Sequence, residues 1–183
     1  MAAIAMAWDR DPETSEWMDW IFAEDGGGIP GTIVGRIDRD GVGAEGSPSY
    51  SLGWTGNIGL VADYIADYDG YHDNDIYRDF PMFGRAFTAG WKLVVLGLAT
   101  PNIGDCGSTG SMGKVAVRPE LMARGYRYLR DPEIAVAAYR ANGYDAAGLQ
   151  RRVYDEDPEA IAREIERIGS EAGPAGNGGG FMQ

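Results

Sequence analysis

The chain has 183 residues, the size of one domain or of part of one. Its 16 Lys and Arg against 28 Asp and Glu give a formal net charge of −12, which argues against a nucleic-acid partner because phosphate binding needs a basic face. A single Cys and a single His exclude a disulfide framework and a site built from several imidazoles within this chain. Because no apolar run approaches the ~20 residues that span a bilayer, we expect no membrane partner.

Three segments carry the same helix-start signal, an Asp followed by Pro and Glu. We predict that Asp11, Asp131 and Asp157 cap three helices, with Pro at the first helical position. Gly143 and Gly169 predict the ends of the second and third helices. Apolar residues follow each start at helical spacing: Trp17, Trp20 and Ile21; then Ile134, Ala137, Ala138 and Ala141; then Ile161, Ile165 and Ile168.

Three further helices are predicted between these, over residues 52–68, 81–100 and 119–129. No stretch alternates apolar and polar residues long enough to favour a strand, apart from the tail after Gly178. The predicted fold class is therefore mainly α, with about six antiparallel helices. The 28 glycines indicate many sharp turns in the connections.

Two connections exceed the ~2–8 residues of ordinary helix–helix loops. The first spans residues 35–50, GRIDRDGVGAEGSPSY, and the second spans residues 100–113, TPNIGDCGSTGSMG. Both mix Gly with acidic, hydroxyl or phenolic side chains. Such loops are suited to presenting polar groups to a cleft.

These two loops resemble segments of one known family. The run from Asp38 to Tyr50, followed by Trp54, is similar to the DG-x-x-x-E-(G/A/L)-(S/A)-P-x-Y element of the heparinase II/III-like polysaccharide lyases. The run from Thr100 to Gly107 is similar to the TP-x-IGD-x-G segment of bacterial members. The resemblance extends from about Asp9 to Gln183 and covers part of a full family member.

The resemblance implies antiparallel helical hairpins forming part of an (α/α) toroid over residues 1–168. Residues 169–183 would then be a Gly-rich linker and the truncated start of a β-sandwich region. The early toroid helices are expected to lie outside this chain. The parent protein is expected to be periplasmic or secreted, although Met1 to Trp8 lacks the basic region of a secretion signal.

The activity implied by the resemblance is cleavage of uronate-containing polysaccharides by β-elimination. The residues of this chain imply no cofactor and no metal, although family members can carry a metal in their β region. Tyr50 matches the family's tyrosine that acts as Brønsted acid, and in some members also as base. Glu45 matches the acidic position of the motif and is the second catalytic candidate. An unperturbed phenol has a pKa of ~10, so base chemistry requires nearby positive charge.

The substrate-binding candidates are chosen by their chemistry. Arginines can lower the pKa of a phenol and hold a carboxylate, Trp54 can stack on a sugar ring, and Asp105 can bond sugar hydroxyls or brace the first loop. The arginines in question are Arg36, Arg39, Arg78 and Arg85.

A purely structural interpretation stays open for each of these residues. Tyr50 could be a core tyrosine at a helix start, Glu45 a loop brace, Asp105 an Asx-turn residue and Trp54 a core residue. Cys106 fits a small buried filler better than a nucleophile. The acidic run of Asp63, Asp67, Asp69, Asp73 and Asp75 fits a solvated surface better than a calcium loop, because it lacks the EF-hand spacing.

Two rival functions follow from the single histidine. The family uses a His, with an Asn or another polar residue in many members, to neutralise the substrate carboxylate, and His72 matches no such position. A non-catalytic glycan-binding module and a purely structural helical array are therefore the alternatives. The charge of −12 favours a weakly charged, alginate-like uronan over a highly sulfated one.

Overall fold

A computed structural model of the chain describes residues 1–105, 115–149 and 155–173. These residues are mainly helical, as predicted, and their only extended pairs are two isolated bridges, between Ile37 and Gly43 and between Val95 and Ala99. The chain divides into two compact units, Met1–Val117 and Arg118–Gln183. The predicted β start after Gly178 lies outside the described residues.

The first unit consists of α1 (Ala2–Trp8), α2 (Glu13–Phe22), α3 (Ile29–Arg36), α4 (Pro48–Ala66), α5 (Ile76–Asp79), a 3₁₀ turn (Pro81–Arg85) and α6 (Ala86–Lys92). It is built around its longest helix, α4. Apolar and small residues of α4, among them Leu52, Ile58 and Ala62, are buried, and the helix packs against α1, α5 and α6. Phe83 and Phe87 meet edge to face at 5.2 Å beside it and are fully buried.

The second unit consists of α7 (Pro119–Leu129), α8 (Pro132–Ala141) and α9 (Ala160–Glu171). Helix α8 packs against both neighbours and buries Ile134 and Ala138. The predicted bounds of α7 and α8 are confirmed. The predicted end of α9 at Gly169 is wrong, because the helix continues to Glu171. Gly169 instead allows a close approach, since a Cβ there would lie 2.5 Å from the Tyr139 Cβ.

Only one of the three predicted Asp caps has the expected geometry. The Asp131 carboxylate accepts the Glu133 N–H at 2.9 Å, just before α8. Asp157 accepts the Glu159 N–H at 3.3 Å, but α9 begins only at Ala160. The Asp11 prediction is wrong: its carboxylate accepts the Ser15 hydroxyl at 2.7 Å and caps no backbone N–H.

The buried face of α2 also differs from the predicted stripe. Thr14, Met18 and Ile21 are buried, whereas Trp20 is 47% exposed. Threonine is buried here because its hydroxyl is satisfied locally: it accepts the Arg10 N–H at 2.9 Å and donates to the Ala5 carbonyl at 3.2 Å.

The longest predicted helix ends early. The chain leaves helical geometry after Lys92 and reverses in a tight turn, where the Val95 N–H donates to the Ala99 carbonyl at 2.8 Å. Leu96 and Gly97 take positive φ values of 53° and 70° in this turn, which a continuing helix cannot contain. Val95 and Leu98, which a helix over residues 81–100 would have placed on its apolar side, are exposed.

Candidate functional site

The first loop contains a narrow hairpin rather than an open connection. The Asp38 N–H donates to the Val42 carbonyl and the Gly41 N–H donates to the Asp38 carbonyl, both at 2.8 Å. Gly41 has a φ of +88°, the left-handed conformation that glycine adopts at no steric cost. These hydrogen bonds are typical of a β-hairpin whose three-residue loop ends in a glycine bulge. Residues 37–43 are called the hairpin below.

The hairpin is fastened to two neighbouring elements of its unit. A Cβ on Gly41 would lie 2.6 Å from the Ala86 nitrogen, so the two backbones touch where the 3₁₀ turn passes into α6. The Arg85 Nη1 donates to the Arg39 carbonyl at 2.8 Å. On the other side, the Gly43 N–H donates to the Ser51 hydroxyl at 3.1 Å in the second turn of α4.

The two loops that carry the motifs meet in space. The Ser47 hydroxyl donates to the Asp105 carbonyl at 3.1 Å, across 58 positions of sequence. Gly104 has a φ of +63°, and a Cβ there would lie 2.8 Å from the Gly46 carbonyl oxygen. The second loop therefore braces the residues immediately before Tyr50, and it does so through its backbone.

Tyr50 lies in the first turn of α4, because that helix begins at Pro48, earlier than predicted. Its side chain is 54% exposed, so the interpretation of Tyr50 as a buried core tyrosine is wrong. Trp54, one turn further along α4, is half-buried and lies against Gly43, with its Cδ1 3.0 Å from where a Cβ on that glycine would be.

The four candidate arginines fall into two groups. Arg36, Arg39 and Arg85 lie at the end of α3, in the hairpin and at the start of α6, and all three are exposed. The Arg36 carbonyl accepts the Ala44 N–H at 2.8 Å, so its backbone belongs to the same loop.

Arg78 forms the second group and makes its contacts beside α5, away from the hairpin. Its guanidinium binds the Asp79 carboxylate at 2.7 Å and 2.9 Å and also donates to the carbonyls of His72 and Asp73. The hydrogen bonds between Arg78 and Asp79 raise the pKa of the arginine and lower the pKa of the carboxyl. Arg78 therefore stabilises the loop before α5.

The remaining predicted side chains are exposed. Glu45 and the Asp105 carboxylate lie at the surface of the two braced loops, and His72 lies at the surface of the loop before α5. Cys106 lies outside the described residues. Of the acidic run, Asp63 accepts the Tyr77 hydroxyl at 2.7 Å and Asp75 caps α5. No group of three or more metal-ligating side chains is found in the part of the chain that the structure describes.

A groove of about 420 Å³ opens beside the hairpin. Its described lining does not include Tyr50, Glu45 or Trp54. Arg85 was predicted as a site residue from the sequence, but Lys92 was not. The signal that could have identified Lys92 is that the chain has only two lysines and that this one follows Arg85 at helical spacing. The lining residues are Asp40, Val42, Arg85, Ala89, Lys92 and Leu93.

A second depression, of about 290 Å³, lies within the second unit. It is lined by residues 145–149 and by one face of α9, including Glu159, Arg163 and Glu166. None of the predicted site residues lines it.

Comparisons of this chain with protein-family models, with curated proteins and with solved structures find no match. The resemblance of the two loops to the lyase family therefore stays a prediction based on their motifs. In the described residues, no helix combines the length and apolar character needed to cross a membrane.

Proposed function

We propose that this chain is part of a polysaccharide lyase that cleaves uronate-containing glycans by β-elimination, with Tyr50 as the acid and base. The observation that carries the proposal is the 54% exposure of Tyr50 at the start of α4, directly after residues braced by the second loop. A polymeric substrate needs an accessible phenol, and a proton-transfer group needs a fixed backbone.

The chemistry requires one group to serve two positions of the sugar. The phenolate removes the proton on the carbon alpha to the carboxyl group. A carbon–carbon double bond then forms as the bond from the β carbon to the glycosidic oxygen breaks, and the departing oxygen receives a proton from the phenol. The proton taken from the carbon is returned to the glycosidic oxygen, so the elimination consumes no water and uses no metal or cofactor.

The arginines of the first group support this role by their charge. The hairpin links the backbones of Arg36 and Arg39, and the Arg85 guanidinium donates to the Arg39 carbonyl, so these three residues belong to one part of the fold. Guanidinium groups stay protonated and can hold a substrate carboxylate through paired hydrogen bonds. We assign Glu45 to orienting Tyr50 or the sugar, Trp54 to stacking, and Asp105 to bracing the first loop.

The proposal also includes the detailed architecture of the fold. We assign the helices to hairpins of an (α/α) toroid, followed by a β-sandwich region after the Gly-rich segment. The brace between the two motif loops, Ser47 to Asp105, supports this assignment, since both motifs belong to one family pattern.

The test is a tyrosine substitution in the full-length protein. Tyr50→Phe removes only the hydroxyl, and we expect it to lower the rate of unsaturated uronate formation by about 100-fold or more, measured by ultraviolet absorbance. Tyr144→Phe is the matched control, because Tyr144 is also 50% exposed and its edge-to-face contact with Tyr139 needs no hydroxyl.

Each outcome decides between the hypotheses. Loss of product in Tyr50→Phe alone supports the lyase. Full turnover in Tyr50→Phe refutes the role of the phenol. Glycan binding by calorimetry without any new double bond in the wild-type protein supports the binding module instead, and no affinity for any uronan supports the structural array.

A further inference from the structure

We propose that the outer side of helices α1 and α2 binds a basic, arginine-containing segment of a partner protein. The surface consists of indole rings interleaved with carboxylates, and we call it the acidic-aromatic patch. The inference is independent of Tyr50 and of the proposed lyase activity. The residues of the patch are Glu13, Glu16, Trp17 and Trp20 of α2 and Trp8 of α1.

Helix α2 carries four residues of the patch on one side. Glu13, Glu16, Trp17 and Trp20 recur at helical spacing, so they form one row along the helix, whereas the buried residues of α2 occupy another side. The row is exposed apart from Trp17, which is half-buried. Helix α1 extends the patch, because the centroid of the Trp8 ring lies 6.1 Å from that of the Trp17 ring.

The indoles of the patch offer accessible and well-positioned binding surface. Trp8 and Trp20 are each 47% exposed, although tryptophan is highly buried on average. The backbone that follows α2 packs against the Trp20 ring, since a Cβ on Gly26 would lie 3.0 Å from the Trp20 Nε1. An exposed indole that is already held in place loses little conformational entropy when a partner binds, and tryptophan is enriched among the residues that dominate protein interfaces.

The charge around these indoles favours a cationic partner. The first 25 residues contain seven carboxylate side chains, all exposed, and Arg10 is their only basic residue. The Glu13 and Glu16 carboxylates make no hydrogen bond or ion pair within the part of the chain that the structure describes. Exposed charges of this kind steer association and select the sign of the partner, while the aromatic surface supplies affinity. The seven are Asp9, Asp11, Glu13, Glu16, Asp19, Glu24 and Asp25.

Arg10 shows within the chain the contact that the partner would repeat. Its guanidinium carbon lies 4.8 Å from the centroid of the Trp8 ring, which is a cation–π contact on an exposed indole. Trp20 follows Glu16 by one helical turn, so an arginine stem can lie along the ring while its head reaches the carboxylate. A planar guanidinium stacks on an aromatic face and an ammonium does not, so the patch favours arginine over lysine.

The experiment compares two peptides of equal charge. Nona-arginine and nona-lysine are titrated into the full chain by calorimetry in about 0.15 M NaCl. Attraction to a chain of net charge −12 acts on both peptides, whereas the indoles favour arginine. We expect nona-arginine to bind about fivefold more tightly than nona-lysine, and Trp20→Ala to remove most of this preference. Tyr144→Ala, which removes another exposed aromatic ring, should keep the preference.

The carboxylates are tested with two matched double variants. Glu13→Gln with Glu16→Gln removes two charges from the patch. Glu156→Gln with Glu166→Gln removes two charges from exposed positions of the second unit. We expect the first double variant to weaken nona-arginine binding about fivefold more than the second, because only the first removes carboxylates that lie beside the indoles.

Equal affinities of the two peptides for the wild-type chain, or a preference that survives in Trp20→Ala, would overturn the inference. Equal weakening by the two double variants would overturn it as well, because net charge alone would then explain the binding. Tighter binding of oligomannuronate than of nona-arginine, lost in Trp20→Ala, would assign the patch to the glycan instead. Circular dichroism checks that Trp20→Ala is folded, and if it is not, the double variants decide.

Discussion

Gly41 is the residue on which the geometry of the first loop most depends. It combines a φ of +88° with backbone contact to Arg85 and Ala86. We expect Gly41→Ala to lower the free energy of unfolding by about 3 kcal/mol, because it adds both conformational strain and a steric overlap. The change in urea midpoint, converted with the measured m-value, gives this quantity.

Gly46 offers the matched comparison for that experiment. It also has a positive φ, +62°, but a Cβ there would meet nothing within 4 Å. Gly46→Ala should therefore cost only the strain of the left-handed conformation, about 1 kcal/mol. Equal losses in the two variants would show that the hairpin is not fixed against α6.

Single residues of the site were predictable from sequence only where a motif marked them. Tyr50 and Glu45 belong to a motif that the sequence shows. Their exposure, however, depends on where α4 begins. The start of α4 at Pro48 was not predicted, because the residues around it are rich in Ser and Gly, which favour a loop. Lys92 and Asp40 were not predicted to lie together, because 52 positions separate them in the sequence and only the fold brings them to one groove.

Element by element, prediction succeeded where capping and periodicity agree. Helices α7 and α8 follow this rule, with Pro119 and Pro132 at their starts and left-handed Gly143 after α8. Helix α3, IPGTIVGR, was not predicted because its two glycines and four β-branched residues give it poor helix propensity. It forms around the fully buried Ile33.

Tyr71 ties α2 to the loop before α5 and gives this part of the fold a dependence on pH. Its hydroxyl donates to Asp19 at 2.7 Å and accepts from the Asn74 amide at 2.6 Å. Burial, more than the carboxylate beside it, raises the pKa of Tyr71 to about 12. The folded state therefore favours the neutral phenol.

The sign of the effect follows from that raised value. The unfolded phenol has a pKa of ~10, so its contribution to stability is complete below about pH 10 and is lost as the pH rises through about 12. We expect wild-type unfolding free energy to fall more steeply over this interval than that of Tyr71→Phe, measured by urea titration at each pH. Asn74→Ala keeps the phenol and should keep the steep fall; parallel curves for wild type and Tyr71→Phe would contradict the assignment.

The net charge of −12 affects the stability of the whole molecule, and it can be read directly from the sequence. Self-repulsion of this size opposes the compact state, whereas exposed ion pairs such as Arg78 with Asp79 and Arg167 with Glu171 contribute little each. The repulsion acts over many residues at once, so it responds to ionic strength more strongly than the local pairs do.

Salt should therefore stabilise this chain. Raising NaCl from about 0.01 M to about 0.15 M shortens the Debye length from ~30 Å to ~8 Å and screens the repulsion, so we expect the urea midpoint to rise over this interval. A variant with both Glu24→Gln and Asp25→Asn carries less negative charge at exposed positions and should show a smaller rise. A midpoint that falls with added salt would mean that attractive surface pairs outweigh the repulsion of the net charge.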